Sequence, residues 1–206
     1  MNPSEASGAA RSMGHDAKDV ELRNWMETDA EDLRRAVVGG SDLGRQFGAA
    51  DISTGRGCAE FITGTLNLPS PSARNLAITM DGRAVGNVGI ARMEHLHGTG
   101  WVHYWLASEV RGRGLASRAL ATLAEWAFVS QDLFRLELGH RTNNPASCRV
   151  ALRAGFAREG IERQKLRYGN DRFDVETHSR LKTDAAPGAL PLPLAQEGHR
   201  PAGVTR

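Results

Sequence analysis

The stretch that decides the fold is Trp101-Val102-His103-Tyr104-Trp105-Leu106-Ala107-Ser108-Glu109-Val110-Arg111-Gly112-Arg113-Gly114-Leu115-Ala116-Ser117. Its first six residues read as a strand. From Gly114 onward the period changes, because Leu115, Ala119, Leu123 and Ala127, with Leu120, Ala124 and Phe128 beside them, recur at helical spacing. Two glycines between a strand and a helix let the backbone turn tightly with its N–H groups exposed. The first amides of the helix and the positive end of its dipole favour an anion there, and Arg111, Arg113 and Arg118 add charge-assisted hydrogen bonds. The segment therefore reads as a phosphate seat, with a plain tight connection as the alternative.

Upstream, Val20 to Trp25 alternates like a strand, and Thr28 followed by Glu31 has the spacing of a capping box at a helix start. A second helix, interrupted by glycine, is expected over about 57–66. Asn75 to Met80 and Ala84 to Met93 form a hairpin around Asp81-Gly82, a type I′ turn pair. Downstream, Leu133 to Gly139 is a short strand. Asn144-Pro145 then places an N-cap and a first-turn proline at the head of another helix, which Gly155 closes. Strands over about 157–166 and 173–181 flank Gly169-Asn170-Asp171. The sum is an α/β domain with a mixed, mostly antiparallel central sheet flanked by helices.

The 206 residues, 40% hydrophobic and 6% aromatic, suit one domain. Its expected bounds are 19–182. Residues 1–18 are small and polar, and 183–206 are rich in Pro, Ala and Gly, so both ends read as disordered tails. No apolar run approaches the roughly 18 residues of a membrane span, and the first residues lack the apolar core of a secretory signal. With only Cys58 and Cys148, no disulfide framework is expected and the chain reads as cytoplasmic. His95, His97 and His103 have no cysteine at metal spacing, so no metal site is expected. The net charge of +2 does not call for nucleic acid as a partner.

A P-loop would need Lys and then Ser or Thr after the second glycine, which this loop lacks. A dinucleotide fingerprint would open a parallel fold near its first strand, whereas an antiparallel meander precedes this one. Arg111-Gly112-Arg113-Gly114-Leu115-Ala116 instead resembles the Arg/Gln-x-x-Gly-x-Gly/Ala pyrophosphate loop of the GNAT superfamily of acetyl-CoA-dependent N-acetyltransferases. Tyr104-Trp105-Leu106-Ala107, Asn143-Asn144-Pro145-Ala146-Ser147, Gly155-Phe156, Glu159-Gly160 and Arg163 extend the resemblance toward the Rim-type branch, the ribosomal-protein N-terminal acetyltransferases.

This resemblance implies acetyl-CoA as cosubstrate. Trp105, Leu106 and Ala107 would lie along its pantetheine arm, and the loop from Arg111 through Gly112, Arg113, Gly114 and Leu115 to Ala116 would hold its pyrophosphate. Asn144 would face the cofactor, although an N-cap role accounts for it equally well. The resemblance makes Ser147 the candidate acid that protonates the leaving thiolate. Some relatives carry a Glu base on the first of the two final strands, where this chain has Gln164-Lys165-Leu166-Arg167, so Glu137 is the candidate in its place, against the simpler reading of a solvated or ion-paired strand residue. Cys148 reads as a small buried hydrophobe rather than a nucleophile. The implied acceptor is a primary amine, a protein or peptide N-terminus ahead of a small amine, with a homodimer as an allowed assembly. The competing class is an acyl-CoA-binding regulatory module without turnover.

Overall fold

The computed structural model describes residues 19–40, 43–44, 47–48 and 50–195. Seven segments pair into one sheet: β1 (Val20–Arg23), β2 (Arg74–Met80), β3 (Arg83–Glu94), β4 (Thr99–Leu106), β5 (Arg135–Arg141), β6 (Ala157–Tyr168) and β7 (Asp171–Leu181). Their spatial order is β1-β2-β3-β4-β5-β7-β6, and every pair is antiparallel except β4 with β5. The helices are α1 (Ala30–Val38), α2 (Gly55–Phe61, continued by a π turn over Ile62–Leu66), α3 (Leu115–Ser130) and α4 (Pro145–Arg153). The mixed, mostly antiparallel sheet is the one that the sequence pattern implies. No helix among the described residues is long and apolar enough to cross a membrane.

The parallel pair sets up the site. β4 and β5 share rungs only at Thr99/Arg135, Gly100/Leu136 and Trp101/Glu137. Beyond them β3 holds β4 as far as Leu106, paired with Gly86, while β7 holds β5 as far as Arg141, paired with Val175. Each strand follows its other neighbour and the two part. The backbone edge of Val102 to Leu106 that faces β5 is left without a strand partner, a row of polar groups that needs another.

Two helices bound the wedge. In α3, Leu115, Ala119, Leu120, Leu123, Ala124 and Ala127 are all buried, and the run of alanines lets the helix lie close to the sheet. At the head of α4 the Asn144 side chain accepts from the Ser147 N–H at 3.2 Å, and Pro145 takes the first turn, where no donor is needed. Tyr104 on β4 donates its hydroxyl to the Ser147 carbonyl at 3.2 Å, which ties α4 to the diverging strand. Burial pushes the Tyr104 phenol up to about 12, outweighing the hydrogen bond to Ser147, so the donor persists even at alkaline pH.

Two expectations change. Thr28 and Glu31 do not form the capping pair; Glu31 is ion-paired with Arg34 at 2.8 Å. The chain enters α1 through a short 3-10 turn, Glu27–Asp29, in which Asp29 accepts from the Met26 N–H at 2.9 Å and takes two bonds from Arg23 at 2.7 and 2.8 Å. A carboxylate that satisfies a free amide and a guanidinium together outcompetes the threonine cap.

The second correction concerns the C-terminal segment, read as a disordered tail over 183–206. Its part up to Ala195 is packed, while 1–18 and 196–206 lie outside the described residues. Leu192 is buried and its N–H donates to Thr122 Oγ1 on α3 at 2.7 Å. Leu22 donates to the Pro193 carbonyl at 2.8 Å, and Ala195 donates to the Leu22 carbonyl at 2.8 Å, so the segment covers the outer edge of β1. Composition misses this because Pro191 and Pro193 suppress any helical or strand period. They nevertheless hold the chain extended, and the remaining N–H and C=O groups suffice for the pairing.

Leu192→Ala is expected to lower the unfolding free energy by about 2–3 kcal/mol in denaturant titrations, the cost of emptying a buried leucine site. Unchanged stability would mean that the segment is not docked.

Candidate active site

A cleft of about 250 Å³ opens where the wedge meets the loop before α3. One wall is the β4 end, Tyr104, Trp105 and Leu106; the floor is Arg111, Gly112 and Gly114 with the first turn of α3; the far wall is α4, from Asn144 to Arg153. Gly112 and Gly114 both adopt φ of 78°, and a Cβ at either would meet open space. The left-handed backbone, rather than crowding, therefore calls for glycine at both positions. Gly114 caps α3 without a side-chain hydrogen bond, so the early amides of this 16-residue helix face the cleft with the positive end of its dipole. Backbone N–H groups in this arrangement bind phosphate.

Arg111 does not reach outward as a simple anion hook. Its Nε and Nη2 donate to the Leu106 carbonyl at 3.0 and 2.9 Å, bracing the loop against the end of β4 while leaving its charge beside the cleft. Two further cations stand on the α4 wall. Arg149 and Arg153 line the cleft with Ala146 and Val150, at the three- and four-residue spacing of one helix face. That spacing was readable in the sequence, but the helix had to be set against the loop before it acquired meaning. The aromatic side of the cleft is fixed by Trp105, whose ring lies 5.9 Å from Trp25 and 5.7 Å from Phe47 between centroids. Trp25 is itself anchored by its indole N–H, which donates to Asn87 Oδ1 at 2.8 Å.

Ser147 lines the cleft at the head of α4. Asn144 makes both halves of a local cap: its Oδ1 accepts from the Ser147 N–H, and its Nδ2 donates to Ser147 Oγ at 3.2 Å. Because Ser147 Oγ is the acceptor in that second bond, its own proton is available to another group. The N-cap reading and the cleft-facing reading of Asn144 thus hold together.

Of the residues named from sequence, Trp105, Leu106, Arg111, Gly112, Gly114, Leu115, Ala116, Asn144 and Ser147 are brought to the cleft. Three are not. Ala107 is buried and its N–H is already given to the Val85 carbonyl at 2.9 Å, because β3 still holds the chain there. Arg113 points off the loop, with Nη2 donating to the Glu109 carbonyl at 3.3 Å. Glu137 is bound by Arg135 Nε at 2.6 Å, and Arg135 also grips Glu159, so the carboxylate belongs to a surface ion-pair group on β5 and its neighbours. No carboxylate lines the cleft among the described residues.

A profile of the acetyltransferase (GNAT) domain matches residues 19–157. The ribosomal-protein-serine acetyltransferase of Escherichia coli K12 is 34% identical over 110 residues, 53% of this chain and 61% of that protein, so the chain spans less than two thirds of that relative's length. Among solved structures, RimL, a ribosomal L7/L12 α-N-protein acetyltransferase in complex with coenzyme A, superposes with a TM-score of 0.71 at 23% identity, over 79% of this chain and 94% of that one. RimJ of Mycobacterium smegmatis, in complex with a coenzyme A disulfide, gives 0.70 at 24%, over 79% and 82%. These two likenesses show a shared fold. The profile match runs from the strand before α1 through the loop at the head of α3 and on past α4, and the chain therefore belongs to the acetyltransferase (GNAT) domain family.

Proposed function

We propose that the protein transfers the acetyl group of acetyl-CoA to a primary amine, with a protein or peptide N-terminus as the acceptor. The observation that carries this reading is the junction of two features in one cleft: an unpaired strand edge on β4, and a glycine loop that aims the amides of α3 inward. The edge from Tyr104 to the Leu106 N–H, the Leu106 carbonyl being taken by Arg111, suits the amides of pantetheine, and the loop from Gly112 to Ala116 suits its diphosphate. Arg149 and Arg153 add positive charge on the opposite wall. The branch of the family with ribosomal-protein acceptors supplies the preference for an N-terminal amine.

In the reaction the amine nitrogen attacks the thioester carbonyl carbon, and the C–S bond of the resulting tetrahedral centre breaks. The nitrogen loses one proton and the departing sulfur gains one. Ser147 is the relay in this reading: its hydroxyl gives a proton to the thiolate and is reprotonated from the proton released at nitrogen. Asn144 Nδ2 holds the Ser147 oxygen in place, and the α4 N-terminus stabilises the negative charge as it develops on sulfur. With Glu137 held by Arg135, the amine enters neutral, and its alignment beside the thioester accounts for much of the rate.

Gly114→Val is expected to weaken coenzyme A binding by at least about 10-fold in calorimetry, since it forces a β-branched residue into a left-handed backbone. Wild-type affinity in a folded variant would contradict the phosphate seat. Ser147→Ala is expected to lower kcat with little change in KM for acetyl-CoA, followed by thiol release with a peptide bearing a free N-terminus. An unaltered kcat removes Ser147 from the relay, and coenzyme A binding without any thiol release across peptides and small amines favours the regulatory module.

A further inference from the structure

Behind α4 and outside the cleft, four side chains from three elements converge: His140 on β5, Cys148 on α4, and Glu176 and His178 on β7. The antiparallel register places His140 opposite Glu176, and His178 opposite Leu138, so all three sheet residues share one face. Cys148 comes down on them from the helix. One donor atom from each of the four lies within 4.8 Å of the others, and both histidines and the cysteine are buried.

The orientation of the rings gives an independent observation. His140 Nδ1 lies 3.0 Å from the Arg141 carbonyl, and His178 Nδ1 lies 3.4 Å from the Phe156 carbonyl. A carbonyl only accepts, so in each ring Nδ1 carries the hydrogen and the neutral ring presents a lone pair at Nε2. Those two Nε2 atoms are 3.0 Å apart, and Glu176 Oε2 lies 3.2 Å from the first and 3.1 Å from the second. Three acceptor atoms thus face one another beside the Cys148 sulfur, the two rings buried and the Glu176 carboxylate half-buried. That arrangement is costly unless a positive centre, a proton or a metal ion, lies among them.

A metal ion meets the requirement in distance and in charge. A tetrahedral ion with bonds of about 2.0–2.1 Å to nitrogen and oxygen and about 2.3 Å to sulfur holds its ligand atoms roughly 3.3–3.6 Å apart. Small outward shifts of the rings, with an inward movement of about 1 Å across the widest pair of donor atoms, which lie within 4.8 Å, reach that spacing. A thiolate and a carboxylate carry two negative charges, which a dication cancels in a buried site. Arg158 supports both anions from outside, with Nη2 at 2.9 Å from Cys148 Sγ and Nε at 3.3 Å from Glu176 Oε1. An Nδ1–H bonded to a carbonyl is also the outer arrangement that orients metal-bound imidazoles.

We propose that His140 Nε2, Cys148 Sγ, Glu176 Oε2 and His178 Nε2 form a closed, four-ligand site for a divalent cation of the zinc class. Four protein ligands leave no open position, so the site is structural: it pins α4 to β5 and β7 and fixes the helix that presents the neighbouring Ser147. Spacing along the chain predicts no metal site, since no histidine and cysteine lie close together in it. These ligands come together only through sheet register and the docking of α4.

The test is titration of the chelator-stripped, full-length protein with Co²⁺, followed by Zn²⁺. One Co²⁺ per chain is expected to give the intense visible bands of a tetrahedral ion and a thiolate-to-metal band in the near ultraviolet, all lost on adding one equivalent of Zn²⁺. Cys148→Ser is expected to remove the thiolate band, and His178→Gln to weaken Zn²⁺ binding at least about 100-fold. Absence of tetrahedral bands in the wild-type protein, a cobalt spectrum without the thiolate band, or spectra unchanged in both variants each overturns the site. The wild-type spectrum decides the matter if a variant fails to fold.

Discussion

The structure depends on a competition for backbone pairing. β4 and β5 begin as parallel neighbours, but β3 claims one and β7 the other, and beyond Trp101 and Glu137 they separate. A sheet interior does not ordinarily tolerate an unpaired edge, because each buried N–H and C=O left without a partner costs free energy. Here the edge lines a cleft instead. The loop that follows it starts α3 beneath the opening, and α4 closes the far side. The Tyr104 hydroxyl, which donates to the Ser147 carbonyl, joins the two walls.

Much of this was legible in the sequence because it is local. Asn144-Pro145 announces the head of α4, and Asp81-Gly82 announces the hairpin of β2 with β3. Gly112 and Gly114 mark left-handed backbone before a helical repeat. What was not legible needs two elements at once. Ala107 sits in the same short motif as Trp105, yet its amide is spent on β3, which only the register reveals. Glu137 and His140 lie on one strand, three residues apart, and therefore on opposite faces: one joins an ion pair with Arg135, the other the buried cluster with His178. The segment ending in Leu-Pro-Leu-Pro-Leu-Ala carries no period at all, and its docking depends on an open edge of β1 and a threonine on α3.

α4 has two working sides. Toward the cleft it offers Asn144, Ser147, Arg149 and Arg153; toward the sheet it offers Cys148 and Ala151. A helix this short has little intrinsic stability, so the precision of its cleft side rests on what fastens it below. The Tyr104 bond, the Asn144 cap and the cluster around Cys148 act on its first two turns, where the proposed proton relay stands. Positioning of the reacting groups and attachment of the helix are in this sense one problem.

The central claim is that the parted strand and the glycine loop together receive coenzyme A. Amide hydrogen exchange measured with and without the ligand tests it residue by residue. The account predicts slowed exchange concentrated in the Tyr104 and Leu106 amides of the free edge and in Gly112 to Ser117, with the paired rungs of β2 and β3 unchanged. Slowing confined to other segments, with both of these as exposed to exchange as before, would contradict it.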